Sequence, residues 1–231
     1  SFAIWRHPDM NTYTSRTVNV PAQSVETNRV LRNTYALLAL TLLFSSVTAG
    51  ITMVLNLPHP GLVLTLVGYF GLLFLTNRFR NSGIGLAMVF ALTGFMGYTL
   101  GPLLNAYLSL PNGPQLVMTA LGGTGVVFLG LSGYALVSRR DFSFMGGFLM
   151  AGILVAFLAG LGAVFFEMPG LALAVSAMFV LLMAGLILYE TSNIIHGGET
   201  NYIMATVTLY VAIYNLFTSL LHLLGVMSGD E

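Results

Sequence analysis

Seven apolar runs divide this chain, at about residues 34–55, 61–76, 83–107, 114–137, 142–166, 170–189 and 202–227. They are apolar on every face and end at turn residues. A membrane β-strand would instead alternate over segments of about ten residues. Roughly 20 apolar residues cross a bilayer as a helix, so the pattern predicts seven transmembrane helices. The second run is short, and fits with little tilt or by borrowing from its flanks. Only 7% of the 231 residues are charged and 56% are hydrophobic, against about 25% charged in soluble domains. Lipid is therefore the expected solvent for most of the surface.

All eight basic residues are arginine, and their placement carries the topology. Arg6, Arg16, Arg29 and Arg32 precede the first run, Arg78 and Arg80 separate the second and third, and Arg139 and Arg140 separate the fourth and fifth. The turns at 59–60, 108–113 and 167–169 carry none. The bias of arginine toward the inside of a membrane then places the N-terminus in the cytoplasm and the C-terminus, Asp230 and Glu231, in the periplasm. Residues 1–27 are polar, lack a signal-peptide pattern, and are expected to form a disordered cytoplasmic tail ahead of a membrane domain at 28–231.

A weak repeat adds to this order. Pro60, Pro114 and Pro169 stand 54 and 55 residues apart, each in a proline–glycine turn. Turn chemistry alone explains such clusters; three hairpins around a lone seventh helix explain them equally well. On the seventh run Thr208, Asn215, Ser219 and His222 form one helical stripe, which must face protein or water. Gly94, Gly97 and Gly101 are a small-residue pattern of the kind that lets helices approach closely.

Several chemistries are excluded or weakened. The absence of cysteine removes disulfides, thiolate metal sites and thiol nucleophiles. Without lysine the glycine-rich stretch 122–125 is no P-loop. His7, His59, His196 and His222 are scattered, so no metal or other cofactor is expected. Gly130-Leu131-Ser132-Gly133 resembles the serine motif of rhomboid-type proteases, with His222 as the base. Ser132 and His222 nevertheless belong at depths about 20 Å apart, from the rise of a helix, whereas a nucleophile and base need contact near 3 Å. The expected protein is not an enzyme. Glu190 closes the sixth run. It reads either as a solvated interfacial glutamate or as an ion or proton site paired to an arginine, with Arg78, Arg80, Asn215 and His222 as further candidates for such a site.

Four stretches make the chain recognisable: 30–35 (Val-Leu-Arg-Asn-Thr-Tyr), 141–147 (Asp-Phe-Ser-Phe-Met-Gly-Gly), 189–203, beginning Tyr-Glu-Thr-Ser-Asn, and 209–217 (Leu-Tyr-Val-Ala-Ile-Tyr-Asn-Leu-Phe). Together they resemble the Bax inhibitor 1 family, most closely its bacterial YccA type, over nearly everything from residue 28. The resemblance implies seven helices with the last enclosed by the other six. It also implies, for some members, a pH-sensitive calcium leak gated by two aspartates and an arginine on helix two. The first aspartate position matches Glu190. The second matches Ala212, which has no carboxylate, and paired carboxylates with split titrations need two acids. For the YccA type it implies a modulator of the FtsH-type membrane AAA protease and its associated membrane proteins. The leading expectation is thus a non-enzymatic inner-membrane protein that binds and restrains that protease. The runner-up is a calcium, cation or proton leak through Glu190, and a plain membrane scaffold is third. Nucleic acid is not an expected partner.

Overall fold

In a computed structural model the described residues are 22–229; Arg6, His7, Asp9, Arg16, Asp230 and Glu231 lie outside them, as does most of the expected N-terminal tail. Seven helices follow one another: α1 (Ala22–Val54), α2 (Leu62–Arg78), α3 (Gly83–Leu108), α4 (Gly113–Ser138), α5 (Gly146–Phe165), α6 (Pro169–Ile195) and α7 (Tyr202–Gly229), with a 3₁₀ turn at Ser143–Met145 leading into α5. Six are long and apolar enough to cross a membrane, and α2 is the shorter apolar helix at 17 residues. At 1.5 Å per residue α2 spans about 26 Å. Among the described residues every regular element is helical.

Two boundaries depart from the sequence reading. Helix α1 begins at Ala22, so residues 22–27 of the expected tail are helical. Helix α6 runs past Tyr189 to Ile195, which carries Glu190 inside the helix rather than at its end. Elsewhere the turn residues act as their chemistry dictates. Pro114 and Pro169 sit in the first turns of α4 and α6, where a missing N–H costs nothing. Gly61, at φ 87°, sets the entry to α2, a backbone conformation that glycine adopts freely.

Helix α7 packs against α1, α3, α4 and α6. Those four also contact one another in sequence around it, α1 with α3, α3 with α4, α4 with α6 and α6 with α1. Helix α2 packs on α3, and α5 on α6. Both reach the centre through shared side-chain clusters: Tyr69, Leu72 and Leu73 of α2 join the cluster around Tyr210, and Leu149 and Ala156 of α5 join Ala212 and Leu216.

The α1–α3 seam is the closest. A Cβ built at Gly97 would meet the Ser45 carbonyl, one at Gly101 the Ala49 carbonyl oxygen at 2.8 Å, and one at Gly94 the Phe44 ring at 2.7 Å. The small-residue pattern is therefore a backbone-to-backbone contact, as such patterns are in membranes.

Polarity is arranged as lipid solvation requires. The outward positions are large and apolar, among them Leu43, Val54, Val137, Phe148 and Leu158. The buried positions include Thr34, Thr41, Ser45, Thr52, Thr93, Thr99, Ser132, Ser192 and Thr206. A hydroxyl facing hydrocarbon needs an internal partner, and many find it one turn back on their own helix. Thr124 donates to the Ala120 carbonyl at 2.7 Å and Thr76 to Leu72 at 2.8 Å.

Candidate functional site

The C-terminal end of α6 gathers three of the loops. Ser192 Oγ donates to the Arg140 carbonyl at 3.0 Å and accepts from the Phe142 N–H at 3.0 Å. His196 Nε2 lies 3.0 Å from the Arg139 carbonyl. Arg139, at φ 51°, takes the left-handed conformation that ends α4 and turns its carbonyl to this contact. Asp141 Oδ1 accepts from the Ser143 N–H at 2.8 Å, which holds the exposed carboxyl below its ordinary pKa. The loop between α4 and α5 is thus fastened to α6 by side chains one turn apart.

The connection from α6 to α7 is fastened to the loop between α2 and α3. Asn201 Oδ1 accepts from the N–H groups of Ile203 and Met204, capping α7, the role asparagine favours there. Its Nδ2 donates to the Arg80 carbonyl at 3.1 Å and to Asn81 Oδ1 at 2.8 Å. Gly197, at φ 75°, and Gly198, whose Cβ would collide with the Asn193 side chain, make this tight connection possible. All three loops belong to the end that carries the arginines.

Glu190 lies just beneath this surface. It is 4% exposed, which replaces the solvated boundary glutamate of the sequence reading with a buried one. Its Oε1 has no hydrogen-bond partner among the described residues. The groups that act on its carboxylate are Asn193, one turn on, and the Glu199 carboxylate of the following loop. The neighbouring Thr191 joins three helices, with its Oγ1 3.2 Å from Tyr35 Oη of α1 and 3.3 Å from Ser132 Oγ of α4.

The other candidates are not assembled around Glu190. Arg78 and Arg80 are exposed at the end of α2, Arg78 lying 6.0 Å from the Phe79 ring and Arg80 Nη1 3.5 Å from Asn77 Oδ1. Neither forms the arginine pair expected for Glu190. Asn215 donates to the Val211 carbonyl of its own helix at 2.9 Å. His222 Nδ1 lies 2.7 Å from Ser176 Oγ of α6. Ala212 is fully buried in an apolar cluster with Leu182 and Ile187. The serine–histidine pair of a protease is not formed, because Ser132 bonds Thr191 while His222 bonds Ser176. Those two partners are 15 residues apart on α6, about 22 Å along the axis.

The best-connected polar groups of α7 lie on another face from the expected stripe. Thr206 donates to the Thr34 carbonyl at 3.2 Å, Tyr210 Oη stands 2.6 Å from Ser45 Oγ and donates to the Thr93 carbonyl at 3.3 Å, and Tyr214 Oη stands 2.9 Å from Thr99 Oγ1. Their spacing of four residues was the signal that could have found them. Among the described residues no group of three acids or histidines could hold a metal ion.

Residues 27–229 match the family described as Inhibitor of apoptosis-promoting Bax1. A protein of Escherichia coli K12 named Modulator of FtsH protease YccA is 56% identical over 206 residues, covering 89% of this chain and 94% of the relative. A Pseudomonas aeruginosa relative is 55% identical over 210 residues, covering 91% and 95%. A Vibrio cholerae relative named as a membrane protein is 46% identical over 210 residues, covering 90% and 94%. With near-complete coverage of this chain and its relatives, and seven apolar helices, this chain belongs to the Bax inhibitor family of multi-pass membrane proteins.

Proposed function

We propose that this chain is a non-enzymatic inner-membrane protein that binds an FtsH-type AAA protease complex and restrains it. The observation that carries this reading is the 56% identity to a relative named as a modulator of FtsH protease, across 94% of that relative's length. The loops at the arginine-bearing end support it, since they form one fastened surface with Arg78, Arg80, Arg139 and Arg140 exposed around it. In this reading that surface is cytoplasmic, the N-terminus lies on the same side and the C-terminus is periplasmic. The helices would then be grouped about α7 with α1, α3, α4 and α6 against it and α2 and α5 outside, rather than as three closed hairpins, since α2 packs on α3 and not on α1. The polar N-terminal segment offers the protease a point of engagement. Co-purification of the full chain from native membranes tests this, and so does removal of residues 1–21, which spares α1. Loss of protease association or slowed turnover of the truncated chain is expected; unchanged values for both remove the segment from the mechanism.

A second reading rests on Glu190. A buried carboxylate oxygen without a partner is a natural proton acceptor in a membrane, and calcium or a proton is the candidate permeant. Glu190, with Ala212 offering no second acid on α7, provides fewer oxygens than calcium prefers, which places this reading second. Reconstituted vesicles in which Glu190→Gln carries the same pH-dependent calcium and proton flux as wild type would end it.

A further inference from the structure

Helices α1 and α4 each pack against α3 and α7, yet they do not pack against one another. The space between them is a crevice of about 300 Å³, at the lower bound of the roughly 300–1,000 Å³ of ligand sites. It stays open because the α1 residues along it are small: Ser45, Ser46, Ala49 and Gly50. A Cβ at Gly50 would meet nothing within 4 Å. Ser46 and Leu121 stand exposed at its rim, so the crevice opens sideways, toward lipid rather than toward water. Gly50 also lines a shallow groove with Val47, Ile51 and Val54, which makes the crevice continuous with the lipid-facing surface of α1.

The lining selects the occupant. Its tyrosine hydroxyls are turned to partners within the protein, Tyr210 to Ser45 and Tyr214 to Thr99. Ser46 and Thr124 donate to carbonyls of their own helices. No unpaired donor is left to hold water, which needs two to four polar partners. The length is informative as well. From Leu42 to Met53 the crevice follows eleven residues of α1, about 16 Å, or close to half of the roughly 30 Å hydrocarbon core. At the Met53 end it reaches the polar group formed by Asn105, which donates to the Met53 carbonyl at 3.1 Å and to Asn56 Oδ1 at 3.4 Å.

We propose that this crevice is a lipid site holding one acyl chain of a phospholipid from the leaflet opposite the arginine-bearing end, with the headgroup beside Asn56 and Asn105. An apolar chain one leaflet long matches the length, the apolar walls and the lateral opening together. The site is separate from the loops around Glu190.

Photochemical labelling tests it. The full chain is reconstituted in phosphatidylethanolamine/phosphatidylglycerol vesicles in which the phosphatidylethanolamine carries a mid-chain diazirine, and adducts are mapped by mass spectrometry. Adducts on Ser45, Ala49 and Tyr214 are expected in wild type. They should fall about tenfold, a loss of one decade of occupancy, in Gly50→Phe, which fills the crevice, and in Ser46→Leu, which blocks its rim. Adducts on Leu154 and Leu158 of α5, both exposed, should be unchanged in all three proteins. Ser46→Leu alters an exposed rim position only, so it carries the test if Gly50→Phe does not fold. The proposal is overturned if wild type shows no adducts on Ala49 or Tyr214, or if their yield survives both substitutions.

Discussion

Gly97→Ala isolates the contact on which the α1–α3 seam depends. The added methyl would lie 2.9 Å from Ser45 Oγ and 3.0 Å from the Ser45 carbonyl carbon, with the carbonyl oxygen nearer still. Contacts of this kind are comfortable at about 3.5 Å, and the carbonyl oxygen is the limiting one, so α1 must retreat by about an ångström along this stretch. The carbonyl belongs to helical backbone and cannot swing aside as a side chain would. Overpacking of this kind costs about 1–3 kcal/mol, and the displacement also stretches the 2.6 Å contact between Ser45 and Tyr210. Gly125→Ala is the matched control, because its Cβ meets nothing within 4 Å. There the gain in helix propensity, up to about 1 kcal/mol, acts alone. The two alanines are therefore expected to have opposite signs. Thermal unfolding in mild detergent should separate them by roughly 4–16 °C, at about 2–4 °C per kcal/mol for a chain of this size. Adding Ser45→Ala to Gly97→Ala should restore only part of the loss, since it removes Oγ and leaves the carbonyl. Equal melting temperatures for the two single alanines, or full rescue by Ser45→Ala, would refute the close backbone approach.

Other consequences follow from named contacts. Tyr210→Phe removes the hydroxyl between Ser45 and the Thr93 carbonyl and should cost about 0.6–1.7 kcal/mol, the range of interhelical hydrogen bonds in membranes, read by the same unfolding assay. Ser192→Ala leaves the Arg140 carbonyl and the Phe142 N–H without their partner; amide exchange of residues 139–145 should quicken about five- to tenfold, as expected for roughly 1–1.5 kcal/mol of a local hydrogen-bond contribution, while α5 is unaffected. Asn201→Ala removes the α7 cap and the tie to the loop between α2 and α3, and should cost about 1 kcal/mol or somewhat more, with faster exchange at both segments. Asp141 titrates below its ordinary value because of the Ser143 N–H. Its contribution is therefore complete above the ordinary aspartate range and fades as pH falls through the depressed value, so acid should loosen the turn before α5, and Asp141→Asn should remove that pH dependence of Ser143 exchange.

The course of the chain was readable from its sequence because the determinants are local. Runs of apolar residues, proline–glycine turns and the arginine clusters place seven helices to within a few residues over most of the chain, and glycines at 94, 97 and 101 announced a close seam. The end of α6 was misplaced because Thr191, Ser192 and Asn193 look like a polar boundary. In the structure Thr191 is bound to Tyr35 and Ser132, and Ser192 to the loop before α5, so the helix stays buried beyond Tyr189. The polar face of α7 was harder to read for a related reason. A hydroxyl or amide in lipid can satisfy itself on its own helix, as Asn215 and Thr218 do, and so a polar position does not by itself mark a contact. Ser176, the partner of His222, sits in an apolar stretch of α6 and has no sequence signal at all. Tyr210 and Tyr214 are as apolar as they are polar by composition, and their four-residue spacing with Thr206 is a weak signal that only the partners on α1 and α3 separate from ordinary aromatic packing.

Restraint of the protease is best measured with the two proteins alone. A purified FtsH-type AAA protease is reconstituted in vesicles with a labelled membrane substrate, with and without a molar excess of the full chain. Slower substrate degradation in the presence of the chain, reversed when the chain is left out, is the result expected of a modulator. Degradation at the same rate across the whole range of added chain, with no protease retained on the immobilised chain, would contradict it.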